Sequence, residues 1–148
     1  MSLGEPMVEF CANDVGELQD VKSFKMGWGG DTSNFAIAVA RLGGRCGYIC
    51  RIGDDGFGRS LLGIWQRENV DTSQVVIERD NYTAIYFISL LSDGQHDFTY
   101  FRSNSAASHY STSDLNIDYL RRARLFHTSG ITLALSQSCR EAALKGAE

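Results

Sequence analysis

Two glycine-rich turns bracket one helix and one strand between positions 29 and 58, GGDTSNFAIAVARLGGRCGYICRIGDDGFG, and this spacing constrains the fold more than any other feature of the chain. Gly29-Gly30 opens a segment, 31–42, whose Phe35, Ile37, Ala38, Val39 and Leu42 give a helix with a broad apolar face, and Gly43-Gly44 closes it as a C-cap. Residues 45–52 read as a short buried strand. Asp54 stands where an N-cap belongs, and 58–68 form a second helix with Leu61, Leu62, Ile64 and Trp65. Around this unit, 4–10 read as the end of a strand and 11–27 as a hairpin or loop excursion. Segments 75–78, 83–91 and 97–102 read as strands, the last two joined by Ser92-Asp93-Gly94-Gln95, in which Asp-Gly is a strong hairpin signal. A helix over 115–123, a strand over 124–131 and an amphipathic helix over 136–145 complete the chain. The alternation predicts an α/β fold with a mainly parallel sheet, from which the 83–102 hairpin projects as an antiparallel insertion.

Composition narrows the function classes. A net charge of −4 without a polybasic run argues against tracking a nucleic-acid backbone. The longest apolar runs are strand-length, too short to span a bilayer. The start, Met1-Ser2-Leu3, has neither the basic nor the apolar region of a signal peptide and reads as a leader, and a cytoplasmic location is expected. Cys11, Cys46, Cys50 and Cys139 are irregularly spaced. Cys46 and Cys50, four apart on one strand, lie about 13 Å from each other; they can share neither a zinc ion nor a disulfide. Free buried thiols and no metal site are expected.

The residues with chemical potential fall in two groups. At the turn 29–34, no Gly-Lys-Ser/Thr follows to make a P-loop, and neither glycine cluster has dinucleotide spacing. Taken alone, the turn is simply a helix start that needs glycine. Asp31 and Asn34 suit a polyhydroxylated ligand, because a carboxylate accepts hydroxyl hydrogen bonds and repels phosphate. The second group is Tyr86 on one strand with Tyr100 and Arg102 on its hairpin partner, the latter two on one side of the strand. Aromatic cross-strand packing beside a solvated arginine accounts for this equally well. The functional alternative gives Arg102 a ligand carboxylate to hold through its planar fork. Of the histidines, His96 and His109 read as solvated and His127 as a satisfied core residue.

The order Gly29-Gly30, Asn34, Ala36, Gly43, Gly53 resembles the N-terminal signature of the PfkB (ribokinase-like) carbohydrate kinases, with Thr32 where that signature has Gly, Ala or Pro. Gly30-Asp31-Thr32, Thr83-Ala-Ile-Tyr86 and Tyr100-Phe101-Arg102 are similar to the 2-keto-3-deoxygluconate (2-dehydro-3-deoxygluconate) kinase branch. Glu68-Asn-Val-Asp71-Thr72-Ser73, Ser129-Gly-Ile-Thr-Leu-Ala134 and Gly4-Glu5 extend the likeness over nearly the whole chain. The resemblance implies a three-layer ribokinase-like α/β sheet with a small antiparallel β lid, its strands at approximately 9–28 and 83–103. It implies transfer of the ATP γ-phosphoryl group to a primary hydroxyl of a sugar acid, with Mg2+ as co-factor. Gly30, Asp31, Asn34, Tyr86, Tyr100 and Arg102 would bind the substrate. A fructokinase- or ribokinase-type activity, or a catalytically silent sugar-binding or dimerisation module, are the alternatives. The family's Gly-Ala-Gly-Asp and Asn-x-x-Glu segments occur nowhere in residues 1–148. The chain therefore reads as the N-terminal portion of such a domain, inactive alone, without a catalytic base or nucleotide site. It is expected to form homo-oligomers through the lid or an exposed sheet edge, with no nucleic-acid or membrane partner.

Overall fold

A computed structural model describes all 148 residues. In chain order it contains β1 (Ser2–Leu3), β2 (Met7–Val15), β3 (Phe24–Gly29), α1 (Asp31–Arg41), β4 (Gly47–Gly53), α2 (Gly56–Arg67) and β5 (Asp71–Glu78). β6 (Ile85–Leu90), β7 (His96–Phe101), α3 (Ile117–Leu120), α4 (Gly130–Leu135) and α5 (Gln137–Ala147) follow. The strands divide into two sheets. A parallel core sheet runs β1-β4-β5, and a four-stranded second sheet runs β3-β2-β6-β7.

β4 explains the three layers. It is buried on both faces, as parallel strands are, and its side chains alternate. Tyr48, Cys50 and Ile52 pack with Ala36 and Ile37 of α1 and with Leu61, Ile64 and Trp65 of α2. Ile49 points the other way, into a cluster with Leu3, Tyr110, Tyr119 and with Cys139, Ala142 and Ala143 of α5. Helices therefore cover both faces of the core sheet, the ribokinase-like layering expected.

Several boundaries differ from the sequence reading, each for a local reason. The strand over 4–10 is two strands: Ser2 and Leu3 pair with Tyr48 and Ile49, and the chain then leaves the core sheet at Gly4–Pro6. Pro6 has no N–H to continue a ladder. The cap of α2 is Asp55 rather than Asp54. One Asp55 oxygen accepts from Gly58 N at 2.7 Å and the other from Thr83 N at 2.8 Å, while Asp54 lies at the surface 3.3 Å from Arg59. The strand over 124–131 shrinks to a single bridge between His127 and Ser2, because its only sheet neighbour is the two-residue β1, and Ser129 then caps α4. The helix over 115–123 keeps one turn, α3, opened by the Asn116 side chain.

The 11–27 excursion is a true hairpin, β2 against β3, and the 83–102 hairpin is β6 against β7. The two hairpins join through a parallel β2–β6 pairing, so the second sheet is antiparallel only in its outer pairs. All four cysteines are free, with Cys46, Cys50 and Cys139 buried and Cys11 half-buried. No helix of the chain is long and apolar enough to cross a membrane.

Candidate functional site

The start of α1 is fixed from beneath by buried hydroxyls. Thr32 and Ser33 are fully buried. Thr32 Oγ1 lies 2.9 Å from the Tyr48 hydroxyl, Trp65 Nε1 donates to Ser33 Oγ at 2.9 Å, and Ser2 Oγ donates to the Thr32 carbonyl at 2.9 Å. With 32 and 33 turned inward, Asp31 and Asn34 share the exposed side of the same turn, three residues apart. Asp31 Oδ1 accepts from Thr32 N at 2.7 Å, which holds the carboxylate at the helix opening. Gly30 has φ +96°, and a side chain there would overlap the Glu5 carbonyl; the turn needs glycine on both counts.

The second sheet supplies the facing groups. Its register sets Gly27, Glu9, Tyr86 and Tyr100 side by side across β3, β2, β6 and β7. Paired residues present their side chains to one face. The Tyr86 and Tyr100 rings stack with centroids 5.6 Å apart, and the Tyr86 hydroxyl donates to Glu9 in a short contact. Burial and the Glu9 carboxylate push the Tyr86 phenol well above its ordinary value, so it stays a donor. Any side chain at Gly29 would run into the Tyr86 hydroxyl, which places this row directly against the glycine turn. The sheet's other face, with Phe10, Phe24 and Phe87, packs through Phe10 on Phe57 of α2.

Arg102 lies just past β7, its guanidinium 5.8 Å from the Tyr100 ring centre. It is not free. Nη2 pairs with the Oε2 of Glu5, whose side chain is wholly buried. Burial drives the Glu5 carboxyl up to about 7 against the downward pull of Arg102, with Asp31 adding to the rise. On its open side Arg102 borders a cleft of about 720 Å³ together with Ser103, Asn104, Ser108, Ile131 and Ser136.

Of the six residues picked from sequence, Gly30, Asp31 and Asn34 therefore share one turn, Tyr86 and Tyr100 stand in the row beside it, and Arg102 stands at the row's edge bound to Glu5. Glu9 went unrecognised; the signal was a lone carboxylate in the apolar run Met7-Val8-Glu9-Phe10. His127 is half-buried and satisfied: its ring stacks on Phe35 at 3.8 Å and its Nδ1 lies 3.0 Å from Ser2 Oγ, and burial lowers its basicity. His109 is exposed, 3.0 Å from Asn81 Nδ2. No three His, Cys, Asp or Glu side chains gather into a metal-holding group.

This geometry has known counterparts. The model of the pfkB family carbohydrate kinase matches residues 1–148. Probable fructokinase-2 of Arabidopsis thaliana and fructokinase-1 of rice are each 36% identical over the entire chain, which covers 45% and 46% of their lengths. Among solved structures, a PfkB protein from Polaromonas sp. JS666 superposes with a TM-score of 0.94 at 34% identity, over 97% of this chain and 49% of that one. A sugar kinase from Pyrococcus horikoshii in complex with ATP gives 0.89 at 30%, over 97% and 47%. The 2-dehydro-3-deoxygluconokinase of Thermotoga maritima gives 0.90 at 25%, over 97% and 44%. The chain spans about half the length of the relatives it matches.

Proposed function

The chain belongs to the pfkB family of carbohydrate kinases, and we propose that it forms the sugar-binding and lid half of a kinase that moves the γ-phosphoryl group of ATP to a primary hydroxyl of a neutral ketohexose of the fructose type. The observation that carries this reading is the apposition of the Gly30–Asn34 turn with the Glu9–Tyr86–Tyr100 row. Hydrogen-bond acceptors and donors held on two rigid elements suit the alternating hydroxyls of a sugar. Asp31 accepts hydrogen bonds from hydroxyls, Asn34 both donates and accepts, and Tyr100 offers a half-exposed ring and phenol. The fructokinase relatives favour a neutral sugar, and so does the engagement of Arg102 by Glu5.

The residues present do not fit a nucleotide or its magnesium ion. The chain has no P-loop, no Gly-Ala-Gly-Asp turn and no cluster of metal-ligating side chains. ATP and Mg2+ therefore belong to the other half of the proposed kinase, along with the base that orients the attacking hydroxyl. This half binds and orients the sugar, and its second sheet serves as the lid that excludes water.

A second reading, phosphorylation of 2-keto-3-deoxygluconate, is favoured by the placement of Tyr86, Tyr100 and Arg102 together and by the likeness to the Thermotoga structure. A coupled assay of ADP release by the full-length kinase decides between them. Fructose giving the higher kcat/KM supports the first reading. Faster turnover of 2-keto-3-deoxygluconate replaces it with the second, and turnover of neither sugar overturns both.

A further inference from the structure

Gly27 and Gly29, two apart on β3, leave that strand bare on the face that carries Glu9, Tyr86 and Tyr100. Two side chains from the neighbouring strands take up the space. A Cβ at Gly27 would stand 3.1 Å from Glu9 Oε1, and one at Gly29 would overlap the Tyr86 hydroxyl and ring. Tyr86 therefore reaches across β2 until its phenol oxygen lies over Gly29, next to the turn that opens α1. The side chain is buried, its ring is fixed by stacking on Tyr100, and its hydroxyl donates to Glu9 Oε2. A phenol has a single proton to give, while its oxygen keeps lone pairs free. A hydrogen bond to a carboxylate is roughly twice as strong as one between neutral groups, so a neutral acceptor on a ligand does not draw that proton away. Burial and then Glu9 hold the phenol well above its ordinary value, with Tyr100 and Cys11 adding to the rise, and the proton stays in place.

We propose that Glu9 is a positioning residue for sugar recognition: by holding the one proton of Tyr86 it fixes that phenol oxygen as an acceptor, which reads a secondary hydroxyl donated by the sugar beside the Gly29–Gly30 turn. The inference rests on the sugar-kinase reading above and deepens it. The primary hydroxyl that takes up the phosphoryl group must face the nucleotide, which belongs to the other half of the kinase, so the groups gathered here are left to the remaining hydroxyls. Asp31 at the same turn accepts as well. Acceptors on both sides of the turn match a polyol, each of whose hydroxyls has a proton to give. A ligand atom without a proton, set against the Tyr86 oxygen, finds lone pairs facing lone pairs. With Glu9 removed, the phenol proton turns freely and Tyr86 can donate to such an atom, so the preference for a donor is lost. Glu9 acts through Tyr86.

The test is the kcat/KM of the full-length kinase for fructose and for its 3-deoxy-3-fluoro and 4-deoxy-4-fluoro analogues, in which fluorine fills the place of a hydroxyl without a proton to donate. The wild type is expected to discriminate about tenfold or more against one of the two. Tyr86→Phe removes the acceptor and should bring that factor below about threefold. Glu9→Leu frees the phenol proton and should do the same. Glu9→Gln keeps an amide oxygen to take the proton and should restore most of the discrimination, whereas a merely structural role at position 9 would change fructose and its analogues alike. The Tyr86→Phe comparison stands even if Glu9→Leu does not fold. Equal use of fructose and both analogues by the wild type, discrimination that survives Tyr86→Phe or Glu9→Leu, or Glu9→Gln no better than Glu9→Leu overturns the proposal. In each of those cases fructose is still turned over and the kinase reading stands. No turnover of fructose removes that reading, and the role of Glu9 with it.

Discussion

The two sheets of this protein bury their strands to very different degrees. In the core sheet β4 is enclosed by α1 and α2 on one face and α5 on the other, and Tyr48, Cys50, Ile52 and Trp65 are all but inaccessible. In the second sheet one face packs through Phe10 and Val8 on the core, while the remainder leaves large apolar side chains in water: Met26, Trp28, Phe98 and Phe101 are each between 40% and 51% exposed. The difference teaches that burial specifies the central strand β4, while the edge strand β5, with no buried residue, is held to it by parallel pairing. The second sheet is held by strand pairing and aromatic stacking and keeps surface free for a ligand or partner.

The comparison is broken most directly by paired truncations. Trp65→Ala removes a fully buried indole and its bond to Ser33, and should cost about 3–5 kcal/mol. Phe98→Ala should cost less than about 1 kcal/mol, because its ring is half-exposed already. Urea melts of the two variants check this, and equal losses would erase the distinction between the sheets.

Next in size is the pH dependence lodged at the crossing between them. The folded-state pKa of Glu5 is raised from 4.5 to about 7. The folded chain therefore binds an extra proton between those values, and stability falls as pH rises through that window and is level above it. Relative to Glu5→Gln, the wild type should lose up to ~3 kcal/mol between pH 4.5 and 7. Asp55 carries the opposite sign. Burial pushes its carboxyl up, but backbone donation from Gly58 and Thr83 outweighs this and holds it below its ordinary value, so its contribution is lost only as pH falls below about 4. Denaturation midpoints measured from pH 3 to 8 separate the two.

A smaller effect on folding, but a large one on binding, is expected at the turn that the lid faces. Gly30→Ala forces a side chain into the left-handed region against the Glu5 carbonyl, at roughly 1–2 kcal/mol for the backbone alone, and should raise the KM for sugar more than tenfold in the full-length kinase. An unchanged KM would detach the turn from the site. The mildest test concerns the exposed lid. Sedimentation should show concentration-dependent self-association of the chain that Phe98→Ser or Phe101→Ser, on opposite faces of β7, weakens, whereas a strictly monomeric wild type would leave these exposed rings to another partner.

Much of this was legible in the sequence because it depends on short-range chemistry. The glycine pair before Asp31, the helix faces of α1 and α2, the Asp93-Gly94 hairpin and the two strand-borne tyrosines follow from local conformation and from periodicities of 3.6 and 2. The strand read at 124–131 failed for the opposite reason: its apolar composition suits a strand, but a ladder needs a neighbour, and only two residues of β1 stand beside it. The one-residue error between Asp54 and Asp55 had the same origin, since the choice was settled by Thr83, a residue 28 positions away from Asp55.

The sequence by itself determined the α/β class, the glycine turn that opens α1 and the presence of a tyrosine pair, because each is encoded by neighbours along the chain. Only the tertiary structure decided that β2 and β6 would pair in parallel and carry Glu9 beside Tyr86. It alone also brought Glu5 and Arg102, 97 positions apart, into one buried contact. No pattern of spacing could announce that contact, because the electrostatics of a buried carboxylate depend on what the fold packs around it.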